Sequence, residues 1–189
     1  MFDLPLHPIV VHFPIVLGAL LPFLAILLWW AIKKWQWTPK VWALVSAVAL
    51  VYALSATGAV LLGEEDEEKV EKVVSEEVIE EHEEAGELIP WIAGTLFLVS
   101  LGGLTVRYSK QAKVAMIVLS VVAVAPLIHA GHTGGELVYE HGAAIAHLSP
   151  KHKAAIQSGT ILELHEKGDH DKGDHDKGDD DDKDDHDDD

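Results

Sequence analysis

Six histidines and two carboxylates near them are the residues of this chain most able to do chemistry. The stretch "IHAGHTGGELVYEHG" (128–142) sets His129, His132 and His141 beside Glu136 and Glu140. The stretch "LHPIVVHFPIVL" (6–17) holds His7 and His12, and His82 stands in an acidic run between the two. Imidazole is a metal ligand and a proton carrier near neutral pH. His12 lies about one turn inside an apolar block, where a polar group is costly and takes a partner. His129 and His132 are spaced i, i+3 and share a helical face. His132 and Glu136 share a face only if the helix continues, and Gly131, Gly134 and Gly135 predict a break there. Plainer roles compete. His7, next to Pro8, reads as a cap at the helix entry, His141 as an interfacial surface residue, and His147, His152 and His165 as solvated. The chain has no cysteine, which excludes disulfides, thiolate metal sites, iron–sulfur clusters and covalently attached haem as intrachain features.

Four apolar blocks must position these histidines. Of 189 residues 49% are hydrophobic, yet the formal charge is −17, so apolar and charged stretches are segregated. The blocks run over 9–32, 41–62, 88–106 and 114–131, the last counted with its histidine-bearing end. Each matches the roughly 20 apolar residues that cross a bilayer. The first is too long for a signal h-region and lacks a basic n-region, so it reads as a span. Lys33, Lys34 and Lys40 in one short loop, and Arg107, Lys110 and Lys113 in the other, have no acid among them. Both loops are expected on the cytoplasmic side of the membrane, which leaves both termini outside. Trp29, Trp30, Trp35, Trp37 and Trp42 then form an aromatic belt at the cytoplasmic interface. The connection 63–87 carries thirteen acids against Lys69 and Lys72. Val70, Val74, Val78, His82 and Gly86 recur every four residues along it, which predicts one amphipathic acidic helix from about Glu65 into the third span, with Pro90 as a point for a kink.

The expected fold is therefore all-α: a four-helix transmembrane bundle over 1–142 with that acidic extension leading into the third helix. A short amphipathic or linker segment follows over 143–162, then an Asp/His-rich tail over 163–189. The tail has fifteen acids, four lysines and an imperfect DHDKG repeat, and it reads as disordered. Four spans with both ends outside bring His7, His12, His82, His129, His132 and His141 to one outer layer. The bilayer is the first expected partner. Nucleic acid is disfavoured by the acidity, and no Ser/His/acid spacing or phosphate loop points to an enzyme.

The two end motifs, "LHPIVVHFPIVL" and "GHTGGELVYEHG", together with His82 and Gly86 between them, resemble the bacterial membrane family called domain of unknown function 2231. The resemblance covers roughly 4–142 and implies a four-helix membrane fold. It also implies an accessory role beside cytochrome c-type or Rieske-type redox proteins.

Three functions follow. The first is a b-type haem protein passing electrons between quinol and a carrier. Its ligands come from His12, His82, His129 and His132, and Gly18, Gly58, Gly63, Gly86 and Gly131 give the macrocycle room. The second is a non-haem site for Zn, Cu or Fe, in which His7, His141 and Glu136 join as further ligands. The third is a membrane anchor whose histidines bond helix ends together.

Overall fold

A computed structural model describes residues 5–105 and 109–158. These residues are helical, with no strand among them. Residues 163–189, which the sequence reads as a disordered tail, lie outside them. The chain divides into two compact units, 1–147 and 148–189. In the second, one helix is described, α7 (Pro150–Gln157), opened by Ser149, whose hydroxyl accepts from the His152 amide.

The first unit begins with α1 (His7–Val10) and α2 (His12–Lys34). The two are separated at Val11, where Pro14 cannot donate to the carbonyl four residues back. A 3₁₀ turn at Pro39–Trp42 leads into α3 (Ala43–Val70), followed by α4 (Glu76–Gly102). The last transmembrane passage is α5 (Ser109–Val122) and α6 (Val124–Tyr139), with a second 3₁₀ turn at Ala143–His147. Helix α3 packs on α2 and α4, α4 on α5 and α6, and α2 closes the ring against α5 and α6. Four helical passages are long and apolar enough to cross a membrane: His7–Lys34, Pro39–Val70, Glu76–Gly102 and Ser109–Tyr139. The bundle has a histidine end and a tryptophan end. Between them its core is built from Leu21, Ala25, Leu28, Val45, Ala49, Ala56, Ala93, Leu96 and Met116. Ala49, Ala56 and Ala59 lie on one face of α3 and let neighbouring backbones approach.

Three expectations are corrected. The acidic connection is not one helix from Glu65 into the third span. Instead α3 extends past the apolar block to Val70, the chain turns over 71–75, and α4 starts at Glu76. Ser75 takes the extended conformation of an N-cap, and Glu76 and Glu77 occupy the first turn, where the helix dipole favours acids. The four-residue stripe of valines is real in composition but is divided by this turn. Val70 and Val74 fold inward with Ile79, Ala143 and Ala146 to make a second, small core.

The expected break at Gly131, Gly134 and Gly135 is also absent, since α6 runs on to Tyr139. The interruption lies earlier, at Ala123, three residues before Pro126. The chain turns away later, near Gly142, whose φ of 72° suits glycine.

The third correction concerns Trp42. Trp30, Trp35 and Trp37 are half exposed and lie side by side, Trp30 edge-on to Trp35 and Trp37 tilted against it, with ring centroids 4.5 and 5.8 Å apart, as a belt would. Trp42 is fully buried instead. Its indole N–H donates to the Ser100 carbonyl at 3.0 Å, and the Ser100 hydroxyl lies 3.0 Å from that of Ser46. Lys113, assigned to a loop by its charge, is buried beside it with its ammonium 5.4 Å from the Trp42 ring.

One buried group is unmatched. The Tyr52 hydroxyl has no hydrogen-bond partner among the described residues. It sits where Gly18 leaves room, since a Cβ there would come 3.0 Å from the oxygen. A buried donor left unpaired costs about 1–3 kcal/mol. Tyr52→Phe is therefore expected to hold or raise the melting temperature of the detergent-solubilised protein. A fall of several degrees would show that the hydroxyl has a partner.

Candidate cofactor site at the histidine end

The one-turn helix α1 carries His7 across to α3. The ring Nδ1 of His7 lies 2.8 Å from the Ala59 carbonyl oxygen. A carbonyl only accepts, so Nδ1 is the protonated nitrogen and Nε2 of the neutral ring keeps its lone pair. The ring rests against Gly63, where an added Cβ would come 3.2 Å from Cε1 and Nδ1.

His82 is held in the same manner from the other side. It projects from α4, and its Nδ1 lies 3.0 Å from the Thr133 hydroxyl on α6. That hydroxyl is buried and donates its one proton to the Ala130 carbonyl at 3.2 Å. It therefore accepts from Nδ1–H of His82, which again leaves the Nε2 lone pair available. Gly134 packs on this ring, with room for no Cβ: one would come 2.9 Å from Cε1. The two imidazoles thus stand in glycine-backed seats with their tautomers fixed by oxygen acceptors. Their ring centroids are 6.2 Å apart and their planes 83° from parallel.

Both rings line a cavity of about 370 Å³. Its walls are apolar, from Ala56, Ala59, Val60, Ile89, Leu127 and Leu137 among others, with Gly63, Gly86, Gly131 and Gly134 interleaved. Ala143, Ala144 and His147 contribute from the second 3₁₀ turn, and the carboxylates of Glu64, Glu67, Glu83 and Glu87 are also part of the lining. The carboxyl of Glu83 faces that of Glu67.

The remaining candidates are distributed unevenly. His12 lines the same cavity, although it is exposed and its Nδ1 bonds the Pro8 carbonyl at 2.6 Å. His132 does not line it. Its Nε2 lies 3.3 Å from Glu136 on an exposed face of α6, as the continuous helix allows. His129 and His141 are exposed and outside the cavity lining. Of the four residues that the sequence offers as haem ligands, the cavity gathers His12 and His82, and it adds His7, which the sequence offers as a cap or a further metal ligand. His147, read as solvated, belongs to the lining. Thr133 was not foreseen, and its one signal is its place at the centre of the motif "GHTGG". Among the described residues no three His, Asp or Glu side chains are placed to hold one metal ion.

The family model described as "Predicted membrane protein (DUF2231)" matches residues 3–147. The chain belongs to this family. The match ends at the boundary of the first unit, so the DUF2231 domain and the four-passage bundle are the same object. No curated protein and no solved structure matches the chain. The DUF2231 assignment and the four apolar passages together make this a multi-pass protein of a lipid bilayer.

Proposed function

We propose that this DUF2231 protein binds haem b between His7 and His82 and works as an electron-transfer or redox-accessory subunit. One observation carries the reading: two imidazoles from different helices, 6.2 Å apart, each with Nδ1 bonded to oxygen. Two imidazoles sharing one metal at a bond length of about 2.0 Å place their ring centres roughly 5–6 Å apart, the larger value when they lie on opposite sides of it. A tetrahedral zinc site asks for three or four protein ligands. Haem would ask the protein for only two ligands, and when bound it would supply a one-electron couple.

The chain's own residues then have definite tasks. His7 and His82 offer Nε2. Ala59 and Thr133 would orient the rings through their contacts with Nδ1. Leu127, Ile89 and Val60 keep water from the interior. His12 and His147 are available to bond carboxylate groups of the occupant. The lysines at the opposite end orient the histidine end away from the cytoplasm. There it meets quinol in the outer leaflet and a cytochrome c-type or Rieske-type partner.

A structural reading has its own support, because each histidine already bridges two helices, His7 to α3 and His82 to α6. An absorption spectrum separates the two. Protein purified in detergent, then titrated with haem, is expected to show a Soret band and sharpened α and β bands on reduction. A colourless protein that takes up no haem would leave the structural reading standing.

A further inference from the structure

Gly131 belongs to two surfaces at once. It lines the histidine cavity from within, and it lines the outer face of α6 beside His132 and Gly135. It is exposed, and an added Cβ would meet nothing within 4 Å among the described residues. At this position α6 puts no side chain between the cavity and the outside of the bundle. The facing edge belongs to α2, where His12 and Ile15 are exposed and line the same cavity. The two edges are at one depth. A Cβ at Gly18 would come 2.9 Å from Leu127, so α2 and α6 touch there. From that contact Ile15 is three residues and Gly131 four residues nearer the histidine end, rises of about 4.5 and 6 Å. Tyr52 marks the depth of Gly18 on α3, and the first acid, Glu64, follows twelve residues later, about 18 Å higher. Both edges lie in candidate membrane passages. The gap above Leu127 therefore faces acyl chains rather than water.

The other end of the cavity differs. Ala143, Ala144 and His147 stand there, and the lining carries the carboxyl groups of Glu64, Glu67, Glu83 and Glu87. The nearby Lys69 ammonium is held by Asp66 at 3.0 Å. Acids grouped in this way repel an anionic guest arriving from water. We propose that the cavity takes up a membrane-dissolved amphiphile with an anionic head, which enters and leaves sideways through this window between α2 and α6. The apolar walls receive its body. His12 has its Nδ1 bonded to the Pro8 carbonyl and keeps Nε2 at the lip, where it can take a proton and hold the head. For the identity of the guest the inference rests on the haem reading, in which the carboxylates of haem b would stay at the window, away from the acids. The route does not depend on that reading.

Cysteine labelling tests the route, since the chain has no cysteine of its own. Ala56 is 2% exposed and lines the cavity, so after Ala56→Cys the thiol is reached only through the cavity. In phosphatidylcholine nanodiscs an uncharged, lipid-soluble maleimide should label A56C faster than a sulfonated, water-confined one, each rate being corrected for the reagent's reactivity toward a free thiol. Gly131→Phe and Ile15→Trp add bulk at the two edges, at exposed positions. Each should slow the lipid-soluble reagent by at least about tenfold and leave the melting temperature unchanged. Equal or faster labelling by the sulfonated reagent, or a rate that neither edge variant changes, would overturn the proposal. The labelling involves no haem, so a protein that shows the window and takes up no haem would sink the haem reading alone.

Discussion

Alanine at His7 or at His82 should abolish the Soret band of haem-titrated protein, while alanine at His129 or His132 should leave it in place. The expectation follows from position. His7 and His82 line one cavity with ring centroids 6.2 Å apart and their Nδ1 atoms engaged, whereas His129 and His132 lie outside it. On the proposed reading each histidine would supply one of the two protein ligands that haem requires, so loss of either should weaken or abolish binding. Thr133→Val makes a finer test. It keeps both ligands but removes the acceptor that orients His82, and loss of such an orienting partner costs about 10–100-fold in affinity. The variant should therefore bind haem more weakly with a similar spectrum. If H129A or H132A strips the haem and H7A does not, the site lies on the other face of α6. If none of these variants takes up haem less well than the parent, and H7A and H82A only lower the melting temperature, the histidines are struts between helices.

The largest loss of stability is expected from Trp42→Ala, at about 3–5 kcal/mol. Trp42 is fully buried, and its N–H is bonded to the Ser100 carbonyl. Truncation would open a cavity at the tryptophan end and leave that carbonyl and the Lys113 ammonium without the indole. Gly103→Ala should be damaging for the complementary reason, because its Cβ would fall inside the Trp42 indole. Trp35→Ala, at a half-exposed position, is the control and should change little. Denaturation in a graded detergent mixture measures all three. Equal effects from W42A and W35A would show that Trp42 is an interfacial anchor like its neighbours.

Much of this fold was legible because its signal is length and composition. Blocks of some twenty apolar residues have one stable outcome in a bilayer, and the histidine layer follows from counting passages. What escaped were features decided by contact. Trp42 and Trp35 are the same residue type seven positions apart, and only packing against Ser100 and Gly103 buries one of them. Gly134 looked like a helix breaker because glycine is a poor helix former, yet its missing side chain is the seat of the His82 ring. Ser75 with two following glutamates was a readable helix start, and the regular spacing of valines on either side concealed it. His7 was read as local because its neighbour is proline. Its partner, the Ala59 carbonyl, is 52 residues away, and no local pattern announces a contact of that range.

The small core of Val70, Val74, Ile79, Ala143 and Ala146 joins the middle of the chain to the last residues of the DUF2231 domain. A chain is made from its N-terminus, so the imidazole seats on α3 and α6 are made before Ala143 leaves the ribosome. Until then the cavity lacks Ala143, Ala144 and His147 from its wall. Biogenesis therefore has an interval in which all four passages are inserted and the pocket is still open at its end. On the proposed haem reading, a guest acquired in that interval would be enclosed when residues 143–147 fold down, and the order of synthesis would be part of how the site is filled.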